Sequence, residues 1–245
     1  MPLRLPGQSG DERIQERRAD ALSYFVVAFL AFSFAGWEWY HKLLEVPPQP
    51  WPYTIVAVCI AAFCVFKLWR AKSELKRFKQ GRDGERIVAE QLEKMRASGY
   101  RVLHDVVAGD FNLDHVLIGP TGIFVVETKT PSKRGKGNRI TFDGEAVQIN
   151  GRSFLPNPLK QAKGNAAWLH NILKSSTGKS FWVTPIVTFP DWSVVRTAKD
   201  AAVLVLNHKE IEQKVKSRPV MLSNEEVSMA AFHLERFVRT GERKT

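Results

Sequence analysis

Between Ala21 and Trp69 apolar residues follow one another with little polar relief; beyond Arg70 they break into short runs spaced as helices or strands. The first apolar run, Ala21 to Tyr40, is long enough at about 1.5 Å rise per residue to cross the roughly 30 Å of a bilayer core. Trp37, Trp39 and Tyr40 gather at its end, where an interfacial aromatic belt would lie. A proline-rich turn, VPPQPWP, interrupts any helix, because proline lacks the amide and clashes with the preceding turn. A second run, Tyr53 to Trp69, ends beside Lys67, whose long stem could reach the interface. A cleavable signal peptide fits poorly, since about twenty polar residues precede the first run and no small-residue cleavage site follows it. The expectation is a transmembrane hairpin over 21–69 with spans near 21–40 and 53–69; the alternative is a pair of buried core helices or a hairpin lying on the membrane.

The rest reads as a mixed α/β sandwich around one sheet. Ile87, Val88, Leu92 and Met95 have helical spacing, and Ser98-Gly99 ends that helix. Tyr100 to Val107, Leu113 to Ile118 and Ile123 to Thr128 predict strands, the last two joined by Gly119-Pro120-Thr121-Gly122. Ile140 to Phe142, Ala146 to Ile149 and Arg152 to Phe154 predict a small meander around Asp143-Gly144 and Asn150-Gly151. Asn157-Pro158 opens a helix to about Lys174 as cap and first-turn proline. Val183 to Phe189 and Ala201 to Leu206 are further strands. Asn207 caps a helix over His208 to Lys216, and Ser223 with Glu226 forms a capping box for a last helix to about Arg239. The organisation expected is an arm over 1–20, the hairpin over 21–69, a basic linker over 70–80 and a domain over 81–240.

Charge sharpens this picture. The 245 residues carry 36 Lys+Arg against 25 Asp+Glu, a net +11. From Gly81 onward 25 Lys+Arg oppose 18 Asp+Glu, so that part alone is about +7, a balance that favours polyanions. Arg4, Arg13, Arg17 and Arg18 precede the first run and Lys67 to Arg82 follow the second, while the loop between them holds only Lys42. By the positive-inside rule the protein is expected in the membrane as a multi-pass chain, with both termini and the domain cytoplasmic. The basic stretch over 67–82 could also touch anionic headgroups of the lipid bilayer. Cys59 and Cys64 both sit in an apolar run, so neither a disulfide framework nor a zinc cluster is indicated.

The chemistry lies on the hairpin around Pro120. A tight turn there pairs residues whose numbers sum to 241: Ile118 with Ile123, Val116 with Val125, and Asp114 with Glu127. Directly opposed residues hold their Cβ atoms about 5 Å apart on one face, and Lys129, two residues past Glu127, leaves the same face. Two carboxylates at that separation repel by roughly 3 kcal/mol at an effective dielectric near 20. A shared proton, the Lys129 ammonium or a divalent cation could offset this. Hard oxygen ligands without histidine or cysteine favour Mg2+ or Mn2+ over zinc, and a cation beside a lysine suits phosphate hydrolysis. The plainer reading is an ordinary ion-pair cluster at a strand end.

The ordered set Gly84-Glu85, Asp114-His115-Val116-Leu117-Ile118-Gly119, Gly122-Ile123-Phe124-Val125-Val126-Glu127-Thr128-Lys129, then Pro158 and Gln161, resembles the nuclease-related domain family. That family lies within the PD-(D/E)xK restriction-endonuclease-like superfamily, and the resemblance covers about 81–189. It implies a restriction-endonuclease-like mixed sheet flanked by helices and a magnesium-dependent nuclease. Asp114 and Glu127 would ligate Mg2+ (or Mn2+), with the Thr128 carbonyl as a third ligand. Lys129 would orient or deprotonate the attacking water and stabilise the phosphate. Glu85 would face the cluster from the first helix, and Gln161 would support it. Leu113 stands where the pattern has proline, a position the chemistry does not use. Lys133, Arg134, Lys136 and Arg139 of the basic loop, with Lys160 and Lys163, are the candidate nucleic-acid contacts. The expected partner is nucleic acid, DNA ahead of RNA. The fold also brings a homodimer into view, without an interface signal in the sequence. The competing function is a catalytically inactive nucleic-acid- or partner-binding module on the same fold.

Overall fold

The computed structural model describes residues 8–44, 50–109, 111–132, 138–198 and 201–241. The chain divides into two units, Ser9–Gln80 and a second that holds Gly81–Thr245.

In the first unit, helix α1 (Gln8–Leu43) folds back against helix α2 (Pro50–Glu93), which passes through residues 70–80 without a break. The two run antiparallel. The Trp39 indole N–H donates to Thr54 Oγ1 at 3.2 Å, and the rings of Phe34 and Tyr53 lie 5.5 Å apart. Further along, the Cys64 thiol donates to the Tyr24 carbonyl. Small side chains make this seam: Ala35, Ala57 and Cys64 are buried, which lets helix backbones approach closely. The large apolar side chains point the other way, with Phe29 71% and Val65 66% exposed. The alternative of two core helices therefore does not hold for the described residues. One helix among them, over Tyr53–Ser98, is long and apolar enough to cross a membrane. The run over 21–40 is helical as well, within α1.

The second unit is a mixed α/β fold with two sheets flanked by helices. The first sheet holds β1 (Arg101–Val107), β2 (Asn112–Gly119), β3 (Gly122–Thr128), β7 (Val183–Thr188) and β9 (Leu204–Leu206), in the order β1-β2-β3-β7-β9. β1, β2 and β3 are antiparallel neighbours; β7 runs parallel to β3, and β9 parallel to β7. All seven residues of the central strand β3 are buried, as a strand covered on both faces requires. On one face Ile123 and Val125 meet Ala166, Leu169 and Leu173 of helix α3 (Pro158–Thr177) and Leu234 of α5 (Asn224–Gly241). On the other, Phe124 and Val126 meet Val88 and Leu92 of α2 and Val215 of α4 (Ile211–Lys216).

The expectation of a single sheet is corrected here. β4 (Arg139–Phe142), β5 (Val147–Ile149) and β6 (Arg152–Ser153) form the expected meander, but in a separate four-stranded sheet with β8 (Ser193–Arg196) parallel to β4. β8 escaped the pattern because it is four residues with no buried position, so no inward-facing alternation marks it. Phe142, Val147 and Trp192 join this sheet to Phe189, Leu159 and Ala162 in one further core.

The caps follow the sequence. Asn157 accepts from the Leu159 amide, Asn207 and Glu210 make a capping box, and Ser223 and Glu226 exchange bonds at the head of α5. Gly99 closes the first helix in the left-handed conformation after a 3-10 turn over Lys94–Ser98.

The turn between β2 and β3 is held from three sides. Tyr100 Oη bonds Thr121 Oγ1 at 2.8 Å, and the Pro120 carbonyl accepts from the Met221 and Leu222 amides. The Tyr100 ring lies directly on Gly119, where a Cβ would run into it. Gly119→Ala should accordingly destabilise the protein by about 1–3 kcal/mol, the usual range for overpacking. Thermal unfolding checks this, and an unchanged melting temperature would refute the account of the turn.

Candidate active site

The hairpin fixes the site. Its ladder runs from Gly119↔Gly122 to His115↔Val126, the register expected from a two-residue Pro120-Thr121 turn. One step beyond, the bonding passes to a side chain: the Thr128 amide donates to Asp114 Oδ2 at 2.7 Å. Asp114 follows Val116 and Ile118 on the face that α3 covers, and Glu127 follows Val125 and Ile123.

Glu127 is only 2% exposed. Lys129 Nζ donates to its Oε1 at 2.7 Å, and the Asn165 amide of α3 donates to Oε2 at 2.8 Å. Lys129 also donates to Gln161 Oε1 at 2.9 Å, while its backbone amide is tied to the Thr188 carbonyl of β7. Gln161 and Asn165 stand four residues apart, hence on one face of α3. Asn165 was not among the sequence candidates; its spacing from Gln161 was the available signal.

Glu85 reaches the cluster from α2, and its charge acts on Asp114. A Cβ on Gly84 would collide with the Thr130 methyl, so the glycine lets the helix approach closely enough to present Glu85. The residues Glu85, Asp114, Glu127, Lys129 and Gln161 thus come together, with Thr128 between them. Lys160, Lys163 and Arg139 are exposed, on α3 and at the start of β4. Lys133, Arg134 and Lys136 lie outside the described residues.

The electrostatics are those of a crowded acidic site. Loss of solvent, then the charges of Glu127 and Glu85, push Asp114 well above the usual carboxyl range, against the Thr128 amide and Lys129. Burial also raises Glu127, outweighing its bonds to Lys129 and Asn165. Fully ionised, this group would set three carboxylates against one ammonium, the excess that one divalent cation would cancel. Among the described residues no trio of His, Cys, Asp or Glu is placed to hold an ion. Two carboxylates suit Mg2+, which commonly takes one or two and completes its shell with water and phosphate oxygens.

On the sheet's opposite face a second polar chain is buried. The His104 and His115 Nδ1 atoms lie 2.8 Å apart, and His104 Nε2 meets Glu93 at 2.8 Å. Glu93, exposed at the end of α2, anchors this chain. Burial holds His115 well below the ordinary histidine value, consistent with a packing and hydrogen-bonding part.

Comparison with known proteins places these elements in a family. Residues 80–190 match the model of the nuclease-related domain, so that segment is a nuclease-related domain. An uncharacterized protein of Bacillus anthracis is 44% identical over 55 residues, 20% of this chain and 26% of that protein. The chain therefore covers about a quarter of that relative's length. No solved structure matches significantly.

An acid raised in the folded state favours folding in its neutral form. That contribution is whole below the ordinary carboxyl pKa and is lost as pH climbs through the raised range. Asp114→Asn keeps an oxygen for the Thr128 amide and removes the charge. In metal-free buffer it should raise the melting temperature by about 2–4 °C near pH 8, and by nothing near pH 3, where both forms are neutral. Equal melting temperatures across that range would contradict the raised carboxyl.

Proposed function

We propose that this chain is a membrane-anchored, divalent-metal-dependent nuclease that hydrolyses phosphodiester bonds, with DNA as its polymer. The observation that carries the reading is Lys129, held between Glu127 and Gln161 beside the Asp114 carboxylate. The nuclease-related domain match over the same residues supports it.

Asp114 and Glu127 would hold Mg2+ or Mn2+, with the Thr128 carbonyl as a further donor and the Glu85 charge acting on Asp114 from α2. When bound, the ion supplies positive charge at a phosphate oxygen and lowers the pKa of water. The chain's own residues do the rest. Asn165 and Lys129 fix both oxygens of Glu127, so its carboxylate cannot rotate away. Lys129 has three N–H groups, and two of them are engaged by Glu127 and Gln161. The third can donate to a phosphate oxygen as negative charge builds there. Facing two acceptors, Lys129 is set up as a donor, which favours charge stabilisation over proton removal from water. Lys160, Lys163 and Arg139, with the basic loop over 133–137, would add contacts to the polyanion backbone.

The apolar, outward-facing hairpin of α1 and α2 supports the anchor, and the distribution of Lys and Arg around it supports cytoplasmic termini. The nuclease would then work beside the bilayer surface.

Supercoiled plasmid incubated with the solubilised full-length protein tests this. Nicking should require Mg2+ or Mn2+ and stop with chelator. Asp114→Ala and Lys129→Ala should each lower the rate by a factor of about 100 or more, the scale for losing one electrostatic group of an active site. Binding of DNA without metal-dependent cleavage would sink the enzyme reading in favour of the inactive binding module.

A further inference from the structure

An open cleft of about 650 Å³ borders the candidate active site and shares two of its residues. Gln161 and Asn165 line it and also hold Lys129 and Glu127. Lys160 and Asn157 add polar groups, while Phe111 and Trp168 are its aromatic residues. Phe111 is 39% exposed, although it packs edge-on against Trp168 at 5.7 Å. Trp168 in turn meets Phe237 of α5 at 5.4 Å. The loop that carries Phe111 is closed by a bond from the Ala108 amide to the Phe111 carbonyl at 2.8 Å. A large apolar ring on the cleft wall is thus packed edge-on against a second aromatic ring, held at its backbone and left partly open to solvent.

We infer that this cleft takes an unpaired nucleobase stacked on Phe111, next to the phosphate held at Lys129. The inference rests on the nuclease reading above and adds its substrate class: single-stranded nucleic acid, or a frayed duplex end. Aromatic side chains accept any base through its π-face, and rows of them mark single-strand sites. A base inside a duplex has both faces covered by its neighbours, so only an unstacked one can lie on Phe111. Lys160 supplies a cation beside the ring for the adjoining phosphate. Trp168, partly buried against the core, supports the Phe111 ring from the same cleft wall.

The test compares two single-stranded oligonucleotides of equal length and charge, one with ordinary bases and one abasic throughout. Each is titrated by fluorescence anisotropy against the full-length solubilised protein in chelator, so that nothing is cut. The wild type should prefer the base-bearing strand by about 5- to 150-fold, the range for one stacked base. Phe111→Ala and Phe111→Leu should abolish the preference, and Phe111→Tyr should keep it. Leucine retains apolar packing, so its loss of preference would isolate stacking from a general loss of shape. Equal affinity of the wild type for both strands, a preference surviving in Phe111→Leu, or no binding of either strand would each overturn the inference. A preference for bases without any metal-dependent cleavage would leave the stacking site standing and refute only the nuclease reading.

Discussion

A carboxylate at the inner end of a strand buried on both faces is the constraint around which this domain is arranged. Glu127 gives up nearly all of its water, and an ion so placed is tolerated only when its lone pairs are satisfied and its charge is opposed. The fold meets both demands with Asn165 on one oxygen and Lys129 on the other. Asp114, bonded to the Thr128 amide, adds a second acid to the same pocket and remains under-compensated. Strain of that kind is a common mark of functional sites.

Everything nearby serves the precision of that cluster. The Pro120-Thr121 turn sets the register, and a slip of one residue would turn Asp114 to the opposite face. Tyr100 and the segment at Met221-Leu222 clamp the turn, so the register is fixed from outside the hairpin as well as within it. β7 runs parallel to β3 and carries Lys129 onward by its backbone. Helix α3 packs its apolar stripe on Ile123 and Val125, and that packing delivers Gln161 and Asn165 to the acids. Stability and chemistry thus use the same contacts, which is why the packing of α3 matters to Glu127.

The helical hairpin obeys a different rule. Its seam is made of small residues and its large apolar side chains face outward, the reverse of a water-soluble helix pair. On the domain, the exposed Lys160, Lys163 and Arg139 leave positive charge at the surface.

The sequence by itself determined the elements whose signals are local. Hydrophobic period, turn residues and caps at Asn157, Asn207 and Ser223 located most helices and strands, and the two-residue turn predicted the pairing that puts Asp114 and Glu127 on one face. Lys129 followed from strand alternation alone. Tertiary structure decided what arrives from a distance. Asn165 is a buried partner only because α3 crosses β3 at that point, and Glu85 approaches Asp114 only because Gly84 permits contact with Thr130. The second sheet, with its exposed strand β8, and the braced Phe111 likewise depend on packing between segments far apart in the chain. A local pattern records which face a side chain takes; it does not record which segment will cover that face, because that choice is made by the whole core at once.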